Sequence, residues 1–496
     1  MSPFDKLRAG LLTSAATRRV GGCGLTAASG TPRVHAVIHR EMQGIRWVLQ
    51  PGFAPQLEAV LRSSGQMVKE SPLKRVTVHQ VGPDRFYVKR YLHHGVLLRP
   101  LKYLFAPTQA HQEWVLAQQL EARNIPVVRH VALGERHSWT GIHESVLITE
   151  AFPGLPLDQA PGVDPARVLA FVTRLHEHGV LQRDLHPANL LVRKDPFEIR
   201  LVDLHGAEVR DALLDSERTA NLAMLRVSYP IPVSAEVEEE SARLRRTLLF
   251  RRSWRCLRHN RDYAARAAGG LLWQVRSAGL TPTVLAIMDD PDGFLAQRAQ
   301  ILKGGRTATV GKTDSVVLKR FNFRKVENLV KDLFRHSRAR RAFRAAYHLE
   351  LAGISTAKVL AVASRRCCGV LLRSYLLMAE IPAALDLGAR LRRGPAPEPA
   401  LIRKTAELIA QLHQQGFSHR DLKETNLVLD GEQRLYLLDL DGLKFHGEVP
   451  ENRVVADLMR LARGLAAFPI VTVQHRILFL LAYCRARRLK RVPHEL

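Results

Sequence analysis

The sequence predicts an α+β chain made of two tandem copies of one bilobal domain, and three observations carry that prediction. A loop pattern occurs twice, as Arg183-Asp184-Leu185-His186-Pro187-Ala188-Asn189 and as Arg420-Asp421-Leu422-Lys423-Glu424-Thr425-Asn426. Each loop is followed by an apolar run that ends in Asp, Leu201-Val202-Asp203 and Leu437-Leu438-Asp439. Each is preceded by a lysine inside a strand-like segment, Tyr87-Val88-Lys89-Arg90-Tyr91 and Leu318-Lys319-Arg320-Phe321. The copies lie about 230 residues apart, which means duplication of a whole domain, since solenoid repeats are much shorter.

Length and composition agree with this division. A chain of 496 residues is long for one hydrophobic core, so two or three domains are expected. An apolar share of 46% and a charged share of 24% are ordinary for a soluble fold. Charge balance is the unusual quantity: Lys+Arg 74 against Asp+Glu 47 gives a formal net charge of +27. Such an excess favours an anionic partner, whether nucleotide, nucleic acid, anionic lipid or phosphorylated glycan, and does not choose among them. The five cysteines, Cys23, Cys256, Cys367, Cys368 and Cys484, show no metal-ligand spacing and no even framework, which reads as reduced thiols in a cytoplasmic protein. No window has the apolar length of a bilayer span. The longest candidate, 477–484, reads as a buried terminal helix followed by a basic tail from Arg485 onward.

Taken in order, residues 1–50 carry Gly21-Gly22, scattered small residues and excess Arg with no sustained period. They are expected to be a mobile basic segment and lack the apolar core of a secretory signal. In the first domain, 51–251, segments 76–81 and 85–91 read as strands around the turn Gly82-Pro83-Asp84. A helix is expected over 109–124, followed by strands at 125–128 and 145–150. A linker, 252–285, is expected to be basic and helical. The second domain, 286–496, repeats the order with strands at 307–310 and 315–321. The helices before the two loops, near 168–179 and 406–416, each end in Gly, a residue suited to the left-handed helix cap. A hairpin bearing a lysine, a helix, two strands and a linker make the order of a kinase amino-terminal lobe, so each copy is expected to be a protein-kinase-like domain.

Phosphoryl transfer asks a protein mainly to position groups and to compensate negative charge. A strand lysine neutralises nucleotide phosphates, a loop aspartate orients the acceptor hydroxyl, and an Asn with a second Asp offers magnesium hard oxygen ligands. In the first copy these parts are Lys89, Asp184, Asn189 and Asp203, with Glu113 on the helix where the lysine's partner belongs. In the second they are Lys319, Asp421, Asn426 and Asp439. An isolated Asp with an Asn five residues on is more often a turn or cap; the same ordered set occurring twice is not explained by turns.

Both copies resemble the lipopolysaccharide kinase family, bacterial kinase-fold enzymes that phosphorylate heptose or 3-deoxy-octulosonic acid of the lipopolysaccharide inner core. The marks are the two lysine strands, the segment 337–343 leading to Ala352-Gly353-Ile354, the two Asp/Asn loops, and Leu438-Asp439-Leu440-Asp441. The resemblance covers about 60–230 and 295–496. It implies ATP and Mg2+ as cofactors, Asp184 and Asp421 as catalytic bases, Lys89, Glu113 and Lys319 as nucleotide-binding, and Asn189, Asp203, Asn426 and Asp439 as metal ligands. It further implies lipopolysaccharide core or another anionic glycolipid as partner, with peripheral contact at the inner membrane surface and nucleic acid disfavoured.

The copies also depart from the family pattern and from each other. Neither has a Gly-x-Gly-x-x-Gly loop; Gly65 and Gly304-Gly305 are the nearest substitutes. Gln182 stands where the second loop has His419, His205 stands where the second has Asp441, and Ala342 stands where the first has Glu113. Lys319 therefore lacks its helix partner unless Glu327 or another acid supplies one. Two other readings stay open: a pseudokinase-type nucleotide-binding scaffold in envelope assembly, and a small-molecule kinase of aminoglycoside type, whose cationic substrates the basic charge disfavours.

Overall fold

The computed structural model describes residues 36–93, 103, 106–138, 141–313, 315–322, 336–367 and 370–488. The chain divides into two compact units, residues 1–213 and 214–496.

In the first unit, alternation of apolar and polar residues produces seven antiparallel strands: β1 (Ile38–Met42), β2 (Ile45–Leu49), β3 (Gln66–Ser71), β4 (Lys74–Val81), β5 (Asp84–Leu92), β6 (His130–Ser138) and β7 (Gly141–Glu150). They order as β1-β2-β6-β7-β5-β4-β3. Helix α1 (Leu57–Arg62) buries Leu57 and Val60 against Ile45, Trp47 and Leu49. Helix α2 (Gln109–Ala122) starts where the Thr108 hydroxyl accepts the His111 amide at 3.1 Å, a side-chain cap. It buries Ala110, Glu113, Trp114, Ala117 and Leu120, one helical face. The rest of the unit is α3 (Pro165–Glu177) with short strands β8 (Leu155–Pro156), β9 (Val180–Gln182), β10 (Leu190–Lys194), β11 (Phe197–Leu201) and β12 (Ala207–Val209).

The second unit begins with α4 (Asp215–Ser228) and α5 (Ala235–Ser253). Its sheet comprises β13 (Tyr263–Ala268), β14 (Leu271–Arg276), β15 (Gln300–Gly304), β16 (Ala308–Lys312), β17 (Val316–Phe321), β18 (Val359–Cys367) and β19 (Val370–Ala379), with α6 (Pro282–Asp289) and α7 (Arg338–Leu351) between strands. The order β13-β14-β18-β19-β17-β16-β15 is the permutation of the first sheet. Then follow β20 (Leu385–Asp386), α8 (Leu387–Arg393), α9 (Pro399–Gln414), β21 (Phe417–His419), β22 (Leu427–Leu429), β23 (Leu435–Leu437), β24 (Leu443–Phe445), α10 (Glu451–Leu465) and α11 (Val473–Ala486). Gly179 and Gly416, just past α3 and α9, have φ of +71° and +81°. A Cβ there would collide with the carbonyls of Arg210 and Gly447 respectively, so both caps require glycine.

The structure differs from the sequence reading in five places. Residues 36–50 of the segment expected to be mobile form β1 and β2, and the stretch expected to be a linker forms β13 and β14, the matching edge of the second sheet. One buried tryptophan anchors each hairpin, Trp47 and Trp273. Trp47 lies opposite Gly134 of β6, where a Cβ would come within 2.8 Å of the indole. Residues 125–128 are no strand: Val127 makes one isolated bridge to Leu201, and the strand begins at His130. The compact units part at residue 213, so α4 and α5 cluster with the second unit, ahead of the expected boundary at 251. Helix α11 buries only Tyr483 and Cys484 fully, so it is not the buried helix expected from its apolar run.

Burial of His130 in the first unit and His348 in the second pushes each ring's pKa down from 6.5 to about 4; nearby Lys89 and Arg344 respectively add to the effect. Both rings therefore fold uncharged. The unfolded chain takes up protons below pH 6.5 that the folded chain refuses until about pH 4. Stability from this source is full above the unfolded pKa and falls with falling pH, by roughly 3 kcal/mol per ring. Substitution His348→Phe, in an aromatic cluster with Phe250, Phe417 and Phe445, should flatten the loss of melting temperature of the second unit between pH 7 and 5. An unchanged slope would remove His348 from the account.

Candidate active site

In the first unit, β5 and α2 bring the lysine and the helix acid together. Lys89 Nζ lies 3.0 Å from Glu113 Oε2 and 3.7 Å from Asp203 Oδ1, and Tyr91 donates its hydroxyl to the other Glu113 oxygen at 2.8 Å. Burial opposes the charge on Lys89, but Glu113 and Asp203 outweigh it and raise its pKa. Burial likewise opposes the charge on Asp203, and Lys89, Lys74 and His205 overcome it and lower its pKa. Asp203 sits at φ +53°, a left-handed conformation that non-glycine residues rarely adopt and that gathers at functional sites. The loop is joined to this strand end by backbone and side chain. Asn189 Nδ2 donates to the Asp184 carbonyl at 2.9 Å, Val202 N donates to the Asn189 carbonyl at 2.9 Å, and Gln182 Nε2 donates to the Asp203 carbonyl at 3.0 Å. The Asp184 carboxylate is exposed and makes no ion pair among the described residues.

The second unit repeats the loop. Asn426 Nδ2 donates to the Asp421 carbonyl at 2.7 Å and Leu438 N to the Asn426 carbonyl at 2.8 Å. Asp439 has φ +57°, the counterpart of Asp203. The lysine partners differ. Lys319 Nζ is 2.5 Å from Asp439 Oδ1 and 3.9 Å from Asp441 Oδ1. Burial works against the Asp439 charge, while the Asp441 hydrogen bond and Lys319 hold its pKa far below the usual carboxylate range. Thus acids at the strand end, 120 residues from the lysine in sequence, supply what Ala342 cannot. Glu327 lies outside the described residues.

A cavity of about 520 Å³ opens beside these groups. Val310, Val317 and Met378 line it from the sheet, Ile381 from the connection after β19, and Val428 and Leu438 from the segments around the Asp421 loop; Lys319, Arg338, Asn426 and Asp439 line it too. The cavity is thus lined by aliphatic side chains along its sides and by charged and amide groups at one end. Three cations beside these groups were not among the expected site residues. Lys423, two residues after Asp421, lies 3.0 Å from that carboxylate, and Arg460 of α10 lies 3.1 Å from its other oxygen. Burial opposes the charge on Asp421, and these two cations prevail and lower its pKa. Lys423 was legible from its place in the loop. Arg460 and the third, Arg338 of α7, carried no local signal.

A model of the lipopolysaccharide kinase (Kdo/WaaP) family matches residues 58–246 and 296–481. The chain belongs to this family. It is 27% identical over 117 residues to a 3-deoxy-D-manno-octulosonic acid kinase of Vibrio cholerae, covering 24% of this chain and 48% of that protein. It is 28% identical over 196 residues to the lipopolysaccharide core heptose(I) kinase WaaP of Pseudomonas aeruginosa, covering 34% of this chain and 72% of the relative. The match thus spans about half the length of the Vibrio relative. A solved structure of WaaP in complex with acyl carrier protein aligns with 42% of this chain and 92% of its own, at 24% identity and TM-score 0.30.

Proposed function

We propose that this chain is an ATP- and Mg2+-dependent phosphotransferase acting on a sugar hydroxyl of lipopolysaccharide core or a related anionic glycolipid. The observation that carries the reading is the assembly, in each copy of this family's domain, of a strand lysine, an Asp/Asn loop and a left-handed strand-end Asp.

The residues fit a magnesium nucleotide. Asp203 Oδ1 is buried without a hydrogen bond, and Arg338 Nη1 is a buried donor with none among the described residues. Each loop Asn commits its amide nitrogen to a carbonyl, which leaves its oxygen for a cation. Asn189 with Asp203, and Asn426 with Asp439, would hold the metal, an all-oxygen set that suits magnesium. When bound, the metal nucleotide supplies an electrophilic phosphoryl group with its charge partly neutralised. Lys89 and Lys319 would set cationic nitrogen against phosphate oxygens. Asp184 and Asp421 would accept the proton of the acceptor hydroxyl, and Lys423, 3.0 Å from Asp421, would offer positive charge beside it. Each domain is taken to begin at its edge hairpin, which extends the expected domains to 36 and 263. In a test by ADP release, purified core glycolipid should stimulate turnover and aminoglycosides should not; stimulation by an aminoglycoside alone would transfer the enzyme to the small-molecule class.

For location we propose the cytoplasmic side of the inner membrane. No described helix is long and apolar enough to cross a membrane. Helix α11 exposes Val473, Ile477 and Leu481 at 68%, 51% and 58%, a stripe at i, i+4 and i+8 between Arg476 and Arg485. An apolar stripe edged by arginines on a chain of net charge +27 suits an anionic bilayer surface. Substitution Ile477→Asp with Leu481→Asp should lower binding to phosphatidylglycerol vesicles about tenfold or more; unchanged binding would take this helix out of the proposal. The tail beyond residue 488 lies outside the described residues.

A further inference from the structure

The two units solve one problem, fixing the strand lysine to the helix, with different residues. In the first, the helix supplies the acid: Glu113 of α2 lies 3.0 Å from Lys89, and position 205 is His. In the second, the corresponding helix position is the buried Ala342, and position 441 is Asp. Asp441 Oδ1 lies 3.9 Å from Lys319, while its Oδ2 accepts from Arg338 Nε at 2.9 Å and also from Arg338 Nη2. Arg338 is the first residue of α7, and its guanidinium packs 5.0 Å over the Phe321 ring, two residues from the lysine. The copies differ reciprocally: the copy with the helix acid has no second strand-end acid, and the copy without the helix acid has one, held by a helix arginine.

We propose that Asp441 and Arg338 are positioning residues that replace the lysine–glutamate bridge in the second unit. Asp441 bears on Lys319, and Arg338 ties Asp441 to α7, so strand, helix and strand end move as one body. The second copy is then a rewired nucleotide site, and the missing glutamate is no sign of decay. Two guanidinium nitrogens on the one Asp441 oxygen make charge-assisted hydrogen bonds, stronger than neutral ones. Asp439 holds the same lysine, Lys319, at 2.5 Å, and Asp441 places a second carboxylate beside that pair. The inference rests on the reading of this cleft as a nucleotide site.

The test uses an ATP acyl-phosphate probe on the full chain, with mass spectrometry of the lysine peptides. The lysine nitrogen attacks the acyl carbonyl, an amide bond forms, the nucleotide leaves with the acyl–oxygen electron pair, and the proton passes to water. In wild type, Lys319 should be labelled and protected by excess ATP. Variants Asp441→Asn and Arg338→Ala should each lower Lys319 labelling at least fivefold, leave Lys89 labelling in the same molecules unchanged, and lower it no further when combined. Adding Ala342→Glu to Asp441→Asn should restore labelling to within twofold of wild type. Wild-type labelling of Lys319 in both single variants, additive losses, or failure of Ala342→Glu to rescue would each overturn the proposal alone. Absence of ATP-protected labelling at Lys319 in wild type would overturn the nucleotide reading of this cleft and the proposal with it. Where Arg338→Ala lowers the melting temperature, Arg338→Lys stands in, and equal labelling by a folded Arg338→Lys chain and by Asp441→Asn supports the bridge.

Discussion

Replacing both loop aspartates, Asp184→Ala with Asp421→Ala, is expected to lower phosphoryl transfer to the glycolipid about a thousandfold, the usual order for loss of a positioned general base. Nucleotide affinity should change little, because the lysines and the strand-end acids remain. The larger share of the loss should fall on Asp421→Ala. Asp421 is held ionised between Lys423 and Arg460 next to a formed cavity, whereas the Asp184 loop has His186 in the place of that lysine. Rates of the two single variants and the double variant, measured at saturating ATP, decide this. Equal losses in the single variants would mean that both copies turn over.

The second large effect is on folding. Asp457 of α10 is buried and accepts the His419 amide at 2.7 Å, and its Oδ2 lies 3.3 Å from His413 Nε2. Burial lowers the His413 pKa despite the neighbouring carboxylate, so the ring is neutral: Nε2–H donates to Asp457, and Nδ1 accepts the Tyr483 hydroxyl at 2.7 Å. One carboxylate thus joins α9, α10 and the start of the Asp421 loop, while Tyr483 carries the network to α11. Asp457→Ala leaves the His419 amide and the His413 donor buried without partners, at a cost of about 3 to 5 kcal/mol. Asp457→Asn keeps one acceptor oxygen and should cost less than half as much. The first copy has Asn221 at this position, in Ala220-Asn221-Leu222 against Ala456-Asp457-Leu458. Chemical denaturation of the two variants checks both statements, and a loss below about 1 kcal/mol for Asp457→Ala would show that the network is not structural.

What the sequence made legible follows from how local each constraint is. Phosphoryl-transfer groups sit at short fixed spacings, so Asp421 and Asn426, or the apolar run before Asp439, stand out in a single line of text. Helix caps at Gly179 and Gly416 are local for the same reason. The edge hairpins escaped notice because β13, Tyr-Ala-Ala-Arg-Ala-Ala, alternates weakly and owes its place to pairing with β14, where Trp273 is buried. Residues 125–128 looked like a strand because Ile125, Val127 and Val128 are buried core residues, yet they are buried in a connection, with Pro126 among them. The link from Lys319 through Asp441 to α7 was not legible locally: Arg338 and Asp441 are 103 residues apart, and only the fold pairs them. Comparing the two copies position by position, Glu113 with Ala342 and His205 with Asp441, was the one sequence signal of that exchange.

The central claim is tested most directly by mass spectrometry of a dephosphorylated lipopolysaccharide core glycolipid after incubation with the full chain, ATP and Mg2+. The account predicts phosphate added to a core sugar by the wild type and none above background by the Asp184→Ala, Asp421→Ala variant. Undiminished phosphate addition by that variant, or a wild-type chain that binds ATP and leaves the glycolipid unmodified, would contradict it.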